Sequence, residues 1–319
     1  MRTLRIPVLG RSTSLPTSLP TSLPTSFLAS YLGSFRASLL APVVATALAV
    51  LLAAGLVGVA APAARADTIL PPLPTAPEGD IPGVNDWTCA PTAARPTPVV
   101  LVHGTFGDRR HLLERLSRAI RDAGFCVFSL DYGNRATDDV IASAHQLADF
   151  VDRVRTATGA AKVSLVGHSQ GGMMPRYYIK YLGGAAYVDD LVGIAPSNHG
   201  TKLIPALNPL AALVPGAVCV SCNQQAWGSA FLRDLNAGDE TPGDVSYTQI
   251  TSRFDEVVVP HTSGYLTPGE RTTNVTIQSK CPWSISDHVL IPLDSATVGI
   301  TLDALTHDGP ADPSYQPRC

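Results

Sequence analysis

Gly167-His168-Ser169-Gln170-Gly171 has the residue types and spacing to lift a serine hydroxyl clear of the backbone and use it as a nucleophile. The stretch follows the apolar run Val163-Ser164-Leu165-Val166 and precedes the helix-like segment from Met173 to Leu182. A turn between such a strand and such a helix is so tight that side chains beside the serine would collide, and the two glycines remove that collision. The exposed hydroxyl can then meet a substrate carbonyl. Serine alone is a weak nucleophile, so the chemistry also needs a histidine to take its proton and a carboxylate to orient that histidine.

Taken in the chain order serine, acid, histidine, the expected partners are Asp255 and His288. Asp255 follows the strand-like Tyr247–Thr251, and His288 follows the next one, so both fall in loops at the edge of the sheet that carries Ser169. Among the other histidines, His307 is the second candidate for the base and His199 reads as holding the loop after its strand. His261 comes too soon after Asp255 to leave room for another strand. Glu256 is the local competitor for the acid, and Asp287 reads as a support of the histidine loop or a solvated side chain. Negative charge growing on the substrate oxygen needs preorganised donors. The backbone N–H of Gln170 is expected to supply one, at the start of the helix after the nucleophile. Thr105, in His103-Gly104-Thr105-Phe106-Gly107, is expected to supply another and to add its hydroxyl. His103 and His168 read as structural residues.

The elements that must position these groups follow from the apolar pattern. Val99–Val102 is a continuous apolar run, as in a strand buried on both faces. Leu112, Leu113, Leu116, Ala119, Ile120 and Ala123 recur at helical spacing before Gly124. Phe125–Leu130 reads as a strand. Val140 to Val154 carries a second helical stripe, capped by Asp138 or Thr137 and closed by Gly159. Lys162–Val166, Leu191–Ile194, Tyr247–Thr251 and Thr273–Gln278 read as further strands, with a last helix from Asp294-Ser295 to Leu305. Alternating strands and helices predict an α/β fold, a mostly parallel sheet with helices on both faces and sites at the carboxyl ends of its strands. Pro175 should kink the helix after Ser169, because it removes a backbone hydrogen bond. The stretch 203–245 is too long for a plain connection and reads as a cap or lid, or else as a helical excursion packed on the core.

Residues 1–66 carry five arginines, no acidic residue and a proline-punctuated repeat, then an apolar run from Leu39 to about Ala61 and Ala64-Arg65-Ala66. That order predicts a secretory signal cleaved after Ala66, with an uncleaved membrane anchor as the other reading. The basic region is long, and a start near Ser34-Phe35-Arg36 is a further possibility. Cleavage leaves residues 67–319, one catalytic domain of 253 residues with 18 basic and 26 acidic side chains, a net charge of −8. No long apolar segment follows Ala66, so this part is expected to be soluble. An acidic chain without a basic cluster argues against nucleic acid as a partner. Asp67–Pro98, rich in proline, is expected to wrap the surface as an extended arm. All six cysteines lie after Ala66, and an even number in an exported chain predicts three disulfides. The preferred set is Cys89–Cys126, Cys219–Cys222 and Cys281–Cys319 among fifteen connectivities. Cys219-Val-Ser-Cys222 could instead be a zinc or redox pair, but neither context is visible around it.

In Val99–Thr105, Val166–Gly172, Asp255–Val258 and Asp287-His288 the chain resembles secreted bacterial lipases and esterases of the α/β-hydrolase superfamily. The nearest match is the class 2 group with its lipase-B-like relatives, over roughly Val99 to Leu293. The resemblance implies carboxylic ester hydrolysis through an acyl-enzyme, with Ser169, Asp255 and His288 as triad and Thr105 and Gln170 lining the oxyanion hole. It implies no cofactor. No metal is expected, the expected partner is an ester or lipid substrate, with a lipid–water interface as a further option, and the protein is expected to be a monomer. A carboxylesterase for small, aromatic or polymeric esters and an acyltransferase remain as alternatives on the same scaffold. A fold kept as a non-catalytic binding module is a further class. The cap matches nothing residue by residue, so chain-length preference is left open.

Overall fold

The structure is a computed structural model that describes residues 80–110, 112–203 and 219–319. The expected leader, and residues 204–218 of the expected cap, lie outside the described residues. In chain order the principal elements are β1 (Val99–Val102), α1 (Glu114–Asp122), β2 (Val127–Leu130), α2 (Val140–Thr158), β3 (Val163–His168), α3 (Gln170–Met173) and α4 (Pro175–Tyr181). They continue with β4 (Val188–Ile194), α5 (Val220–Gln224), α6 (Ala230–Asn236), β5 (Ser246–Thr251), β6 (Thr272–Thr276) and α7 (Ser295–Thr306). The six strands form one sheet in the order β2-β1-β3-β4-β5-β6, and every neighbouring pair is parallel.

This order reverses direction at β1. The chain leaves β1 for β2 on one side and returns to β3 on the other, so the loops after β1 and β3 part company at the carboxyl edge and open a crevice there. Thr105 follows β1 and Ser169 follows β3.

Alternation along the strands sends side chains to two apolar layers. Val100, Val102, Val163, Leu165, Leu191 and Tyr247 join one cluster with α2, α3, α4 and α6. Val99, Leu101, Val166, Val192, Ile194 and Ile250 join the other with α1 and α7. The helices therefore cover both faces, and the strands read as continuous apolar runs because neither face meets water. Among the described residues, no helix is long and apolar enough to cross a membrane.

Several boundaries differ from the sequence pattern for local reasons. α1 begins at Glu114, because Leu112 has φ 60° and cannot enter a right-handed helix. The cap of α2 is Asp139, whose carboxylate accepts the N–H of Ala142 at 2.9 Å, and not Asp138 or Thr137. β2 starts at Val127, two residues after Phe125, and β4 starts at Val188 because Asp189 and Asp190 interrupt the apolar pattern without interrupting the strand. β6 ends at Thr276, and Ile277–Ser279 turns as a 3-10 helix instead of continuing to Gln278. Pro175 divides the helix after Ser169 into α3 and α4 and stands at the first position of α4, where its missing N–H leaves the Gly171 carbonyl without that donor.

The described part of the arm, from Asp80, runs along the edge strand β2. Asn85 exchanges hydrogen bonds with the backbone of Ser129, and Trp87 packs on Phe128 with ring centroids 5.0 Å apart. Cys89–Cys126 closes this arm onto the start of β2, Cys281–Cys319 ties down the chain end, and Cys219–Cys222 closes the first turn of α5, which is the set preferred from the sequence. In 219–245, Leu232 and Leu235 of α6 are buried in the core layer under α2 and α4.

Candidate active site

Ser169 sits between β3 and α3 with φ 57° and ψ −124°, a backbone conformation that L-residues rarely adopt. A Cβ at Gly167 would fall within the Gly171 carbonyl group, and one at Gly171 would fall on the carbonyl oxygens of Val102 and His103. Both positions need glycine for close approach, which is the physical content of the pentapeptide. Gly104 is tight as well, since a Cβ there would stand 2.9 Å from the Ser169 Cβ. The loop after β1 is thereby pressed against the nucleophile turn.

His288 and Asp255 arrive on the two loops after β6 and β5. His288 Nε2 lies 3.0 Å from Ser169 Oγ, and His288 Nδ1 lies 2.9 Å from Asp255 Oδ2. The other oxygen of Asp255 accepts the N–H groups of Val257 and Val258 at 3.0 and 2.7 Å, which fixes the carboxylate plane. All three residues are buried, Ser169 at 7%, Asp255 at 8% and His288 at 5% exposure. The imidazole is therefore held between acid and hydroxyl in one tautomer, Nδ1–H to Asp255 and Nε2 as acceptor from Ser169.

The loop holding His288 is itself tied to the sheet. Ser252 donates to the Ser286 carbonyl, and the hydroxyls of Ser284 and Ser286 both donate to Asp294 Oδ2 at 2.7 Å. Against the cost of its burial, these bonds and the N–H of Ala296 hold the Asp294 carboxyl below its usual range. Asp294 also caps α7, so one side chain fixes both a helix start and the histidine loop.

The remaining candidates stand elsewhere or do other work. His307 pairs with Asp303 on α7, away from the serine, and Asp287 Oδ1 accepts from Val289 N and Leu290 N within the turn after His288. Glu256 accepts the backbone N–H of His288 at 3.3 Å but does not reach its ring nitrogens. His199 bridges the Ser263 carbonyl and Glu240. Burial works against Glu240, yet bonds from His199 and Thr267 bring its carboxyl down to about 2. His103 stacks on Tyr132, and His168 Nε2 lies 2.9 Å from the His288 carbonyl oxygen. A cavity of about 560 Å³ lined by His199, Trp227, Leu232, Glu240 and Tyr265 borders none of Ser169, Asp255 and His288.

Gln170 opens α3, so its N–H belongs to the first helical turn, whose donors have no acceptor within the helix. Thr105 Oγ1 donates to Gln170 Oε1 at 2.7 Å, linking the two expected oxyanion residues side chain to side chain. Gln225 is not among the candidates that the sequence pattern singles out. It reaches both side chains from the end of α5, and an uncharged glutamine in a segment without periodicity carries no signal by itself.

A parallel sheet with a strained serine at a strand-to-helix turn, bonded through histidine to a carboxylate two loops away, defines an α/β-hydrolase fold. Residues 96–292 match the family described as lipase (class 2), and the chain belongs to that family. A triacylglycerol lipase of Pseudomonas fragi is 32% identical over 155 residues, covering 46% of this chain and 50% of that one. One of Burkholderia plantarii is 35% identical over 91 residues, 27% of this chain and 25% of that one. The chain thus spans about half the length, or less, of these relatives. The crystal structure of Aspergillus fumigatus lipase B superposes with a TM-score of 0.60 and 25% identity, covering 73% of this chain and 61% of that one. A Bacillus licheniformis lipase in its mature form, at 15% identity, shares the fold with a TM-score of 0.52 over 68% of this chain and 94% of that one.

Proposed function

We propose that this protein is a secreted lipase that hydrolyses carboxylic esters of lipids, with Ser169 as nucleophile, His288 as general base and acid, and Asp255 as the orienting carboxylate. The observation that carries the reading is the continuous chain of hydrogen bonds from Asp255 through His288 to Ser169, at 2.9 and 3.0 Å. Ser169 Oγ attacks the ester carbonyl carbon while its proton passes to His288 Nε2. The carbonyl electron pair moves onto oxygen, where the N–H groups of Thr105 and Gln170 receive it. Collapse breaks the bond to the alcohol, which leaves with the proton from His288, and the acyl group stays on Ser169. Water then attacks the acyl carbon, giving its proton to His288. The acid departs, and the proton returns to Ser169.

Lipid esters are supported as substrates by the relatives named triacylglycerol lipase and by the rim of the site. Trp283 and Ile285, 92% and 78% exposed, with Val289, Leu290 and Phe254, all belong to the two loops that present Asp255 and His288. The three disulfides support an oxidising destination, and the expected cleavage after Ala66 would release residues 67–319. The test is a series of esters of rising chain length, assayed below and above their solubility limit on residues 67–319 and on Ser169→Ala. Ser169→Ala should lose on the order of 10⁴-fold or more in turnover. Full activity in that variant would end the mechanism, and preference for short soluble esters with no rise at the interface would move the protein to the carboxylesterases.

A further inference from the structure

Gln225 stands at the end of α5, 6% exposed, with its amide aimed at the two expected oxyanion residues. Its Nε2 lies 3.0 Å from Gln170 Oε1, 3.0 Å from Thr105 Oγ1 and 3.2 Å from the Ser221 carbonyl, while Ser197 Oγ lies 2.9 Å from its Oε1. The Ser221 carbonyl can only accept, so the nitrogen end of Gln225 must face it. Gln170 must then turn its own oxygen toward that nitrogen. Thr105 also donates to this oxygen, so Gln170 Oε1 has two donors while Thr105 has a single proton to give.

Two donors on one buried acceptor mean that either can leave without orphaning it. An orphaned buried acceptor is costly, and without Gln225 the Thr105 proton would be bound to Gln170. We propose that Gln225 is a positioning residue that frees the Thr105 hydroxyl to turn from Gln170 to the substrate oxyanion. As charge develops, the Thr105 proton leaves Gln170 Oε1, which keeps its bond from Gln225. The same amide nitrogen stands 3.0 Å from Thr105 Oγ1, its two hydrogens divided among this oxygen, Gln170 Oε1 and the Ser221 carbonyl. Thr105 then gives the oxyanion two donors, its backbone N–H and its hydroxyl.

The element that carries Gln225 is anchored independently of the substrate. Ser221 Oγ donates to the Ala136 carbonyl at 2.6 Å, and the Gln224 side chain accepts from Val140 N and donates to Asp139, where α2 begins. Cys219–Cys222 closes its first turn. The segment read from sequence as a cap thus reaches the proposed oxyanion site through a polar side chain.

The inference rests on the reading of Thr105 and Gln170 as oxyanion residues, and a double-mutant cycle on a short soluble ester tests it. Gln225→Leu keeps the length and removes the donor, and should lower kcat about tenfold with KM within about twofold. Thr105→Val should lower kcat on the order of a hundredfold. The double variant should be no worse than Thr105→Val, because Gln225 acts through a hydroxyl already gone. Additive losses, or wild-type kcat in Gln225→Leu, would overturn the proposal. Should Gln225→Leu fail to fold, Gln225→Glu serves: its carboxylate cannot donate, so kcat should fall as pH rises where the wild type does not, and a wild-type profile would overturn the proposal. Ser169→Ala, run in parallel, separates the two readings. Full turnover there removes the nucleophile, whereas an inactive Ser169→Ala beside an unaffected Gln225→Leu removes only the role of Gln225.

Discussion

Ser169 keeps a positive φ because its neighbours leave the chain no other course. Gly167 passes the Gly171 carbonyl, and Gly171 passes the Val102 carbonyl, both closer than any Cβ would allow. Pro175 contributes here: lacking an N–H, it leaves the Gly171 carbonyl unclaimed along the helix and able to lean toward Gly167. Gly167→Ala must displace backbone and not merely a side chain, so it should cost about 3 kcal/mol or more, read by denaturant titration. A loss within about 0.5 kcal/mol would mean that the turn is more compliant than this packing implies. Among the histidines the distances discriminate sharply. His288→Ala should lower turnover by several orders of magnitude, and His307→Ala, whose ring meets Asp303 and the Asp308 carbonyl, should leave it within about twofold.

At the scale of elements, polar side chains at strand and helix ends decide how the loops sit. Asp139 starts α2, and Asp294 both starts α7 and gathers Ser284 and Ser286 under the histidine loop. Asp190 is the exception, a carboxyl inside β4 that caps nothing. Burial pushes it up to about 7, with Asp189 adding to the rise, while the Ser164 hydroxyl at 2.7 Å pulls the other way. An unfolded chain would titrate this group near 3.9. The folded protein therefore holds the proton more tightly. Its contribution to stability is complete below about pH 4, is lost as pH rises, and is gone above about pH 7. Asp190→Asn, which cannot ionise, should gain thermal stability relative to the wild type as pH rises, by about 3 °C or more between pH 5 and pH 8. A constant difference across that range would show that Asp190 does not titrate there.

Over the described residues as a whole, two apolar layers enclose one sheet, and Ser169, Asp255 and His288 meet at its carboxyl edge. The arm from Asp80 covers the open edge of β2, which would otherwise offer unpaired backbone groups to another chain. Opposite demands meet at the rim, where Trp283 and Ile285 stand almost fully in water beside the buried His288. Such exposure on the loops of the proposed triad suits the proposed encounter with aggregated substrate. Replacing both by serine should lower hydrolysis of emulsified long-chain esters about tenfold while kcat on a dissolved short ester stays within about twofold. Equal losses on both substrates would assign these side chains to the fold and not to the interface.

The order of strands and helices, the two-faced core and the meeting of Ser169, Asp255 and His288 at one edge were legible in the sequence, because buried parallel strands write continuous apolar runs and the loops that follow them gather at that edge. Glycines spaced around a serine carried their own steric reason. The preferred cysteine pairs could be named but not chosen among fifteen, since pairing depends on Cα separations that only the folded chain sets. The cap of α2 fell at Asp139 and not Asp138, because the two have the same chemistry and differ only in where they point. Gln225 was invisible. Its position beside Thr105 and Gln170 depends on contacts 120 and 55 residues apart along the chain, and a neutral amide acquires a role only from the atoms brought against it. Sequence determines which chemistry is available; tertiary structure decides which proton each group is free to give.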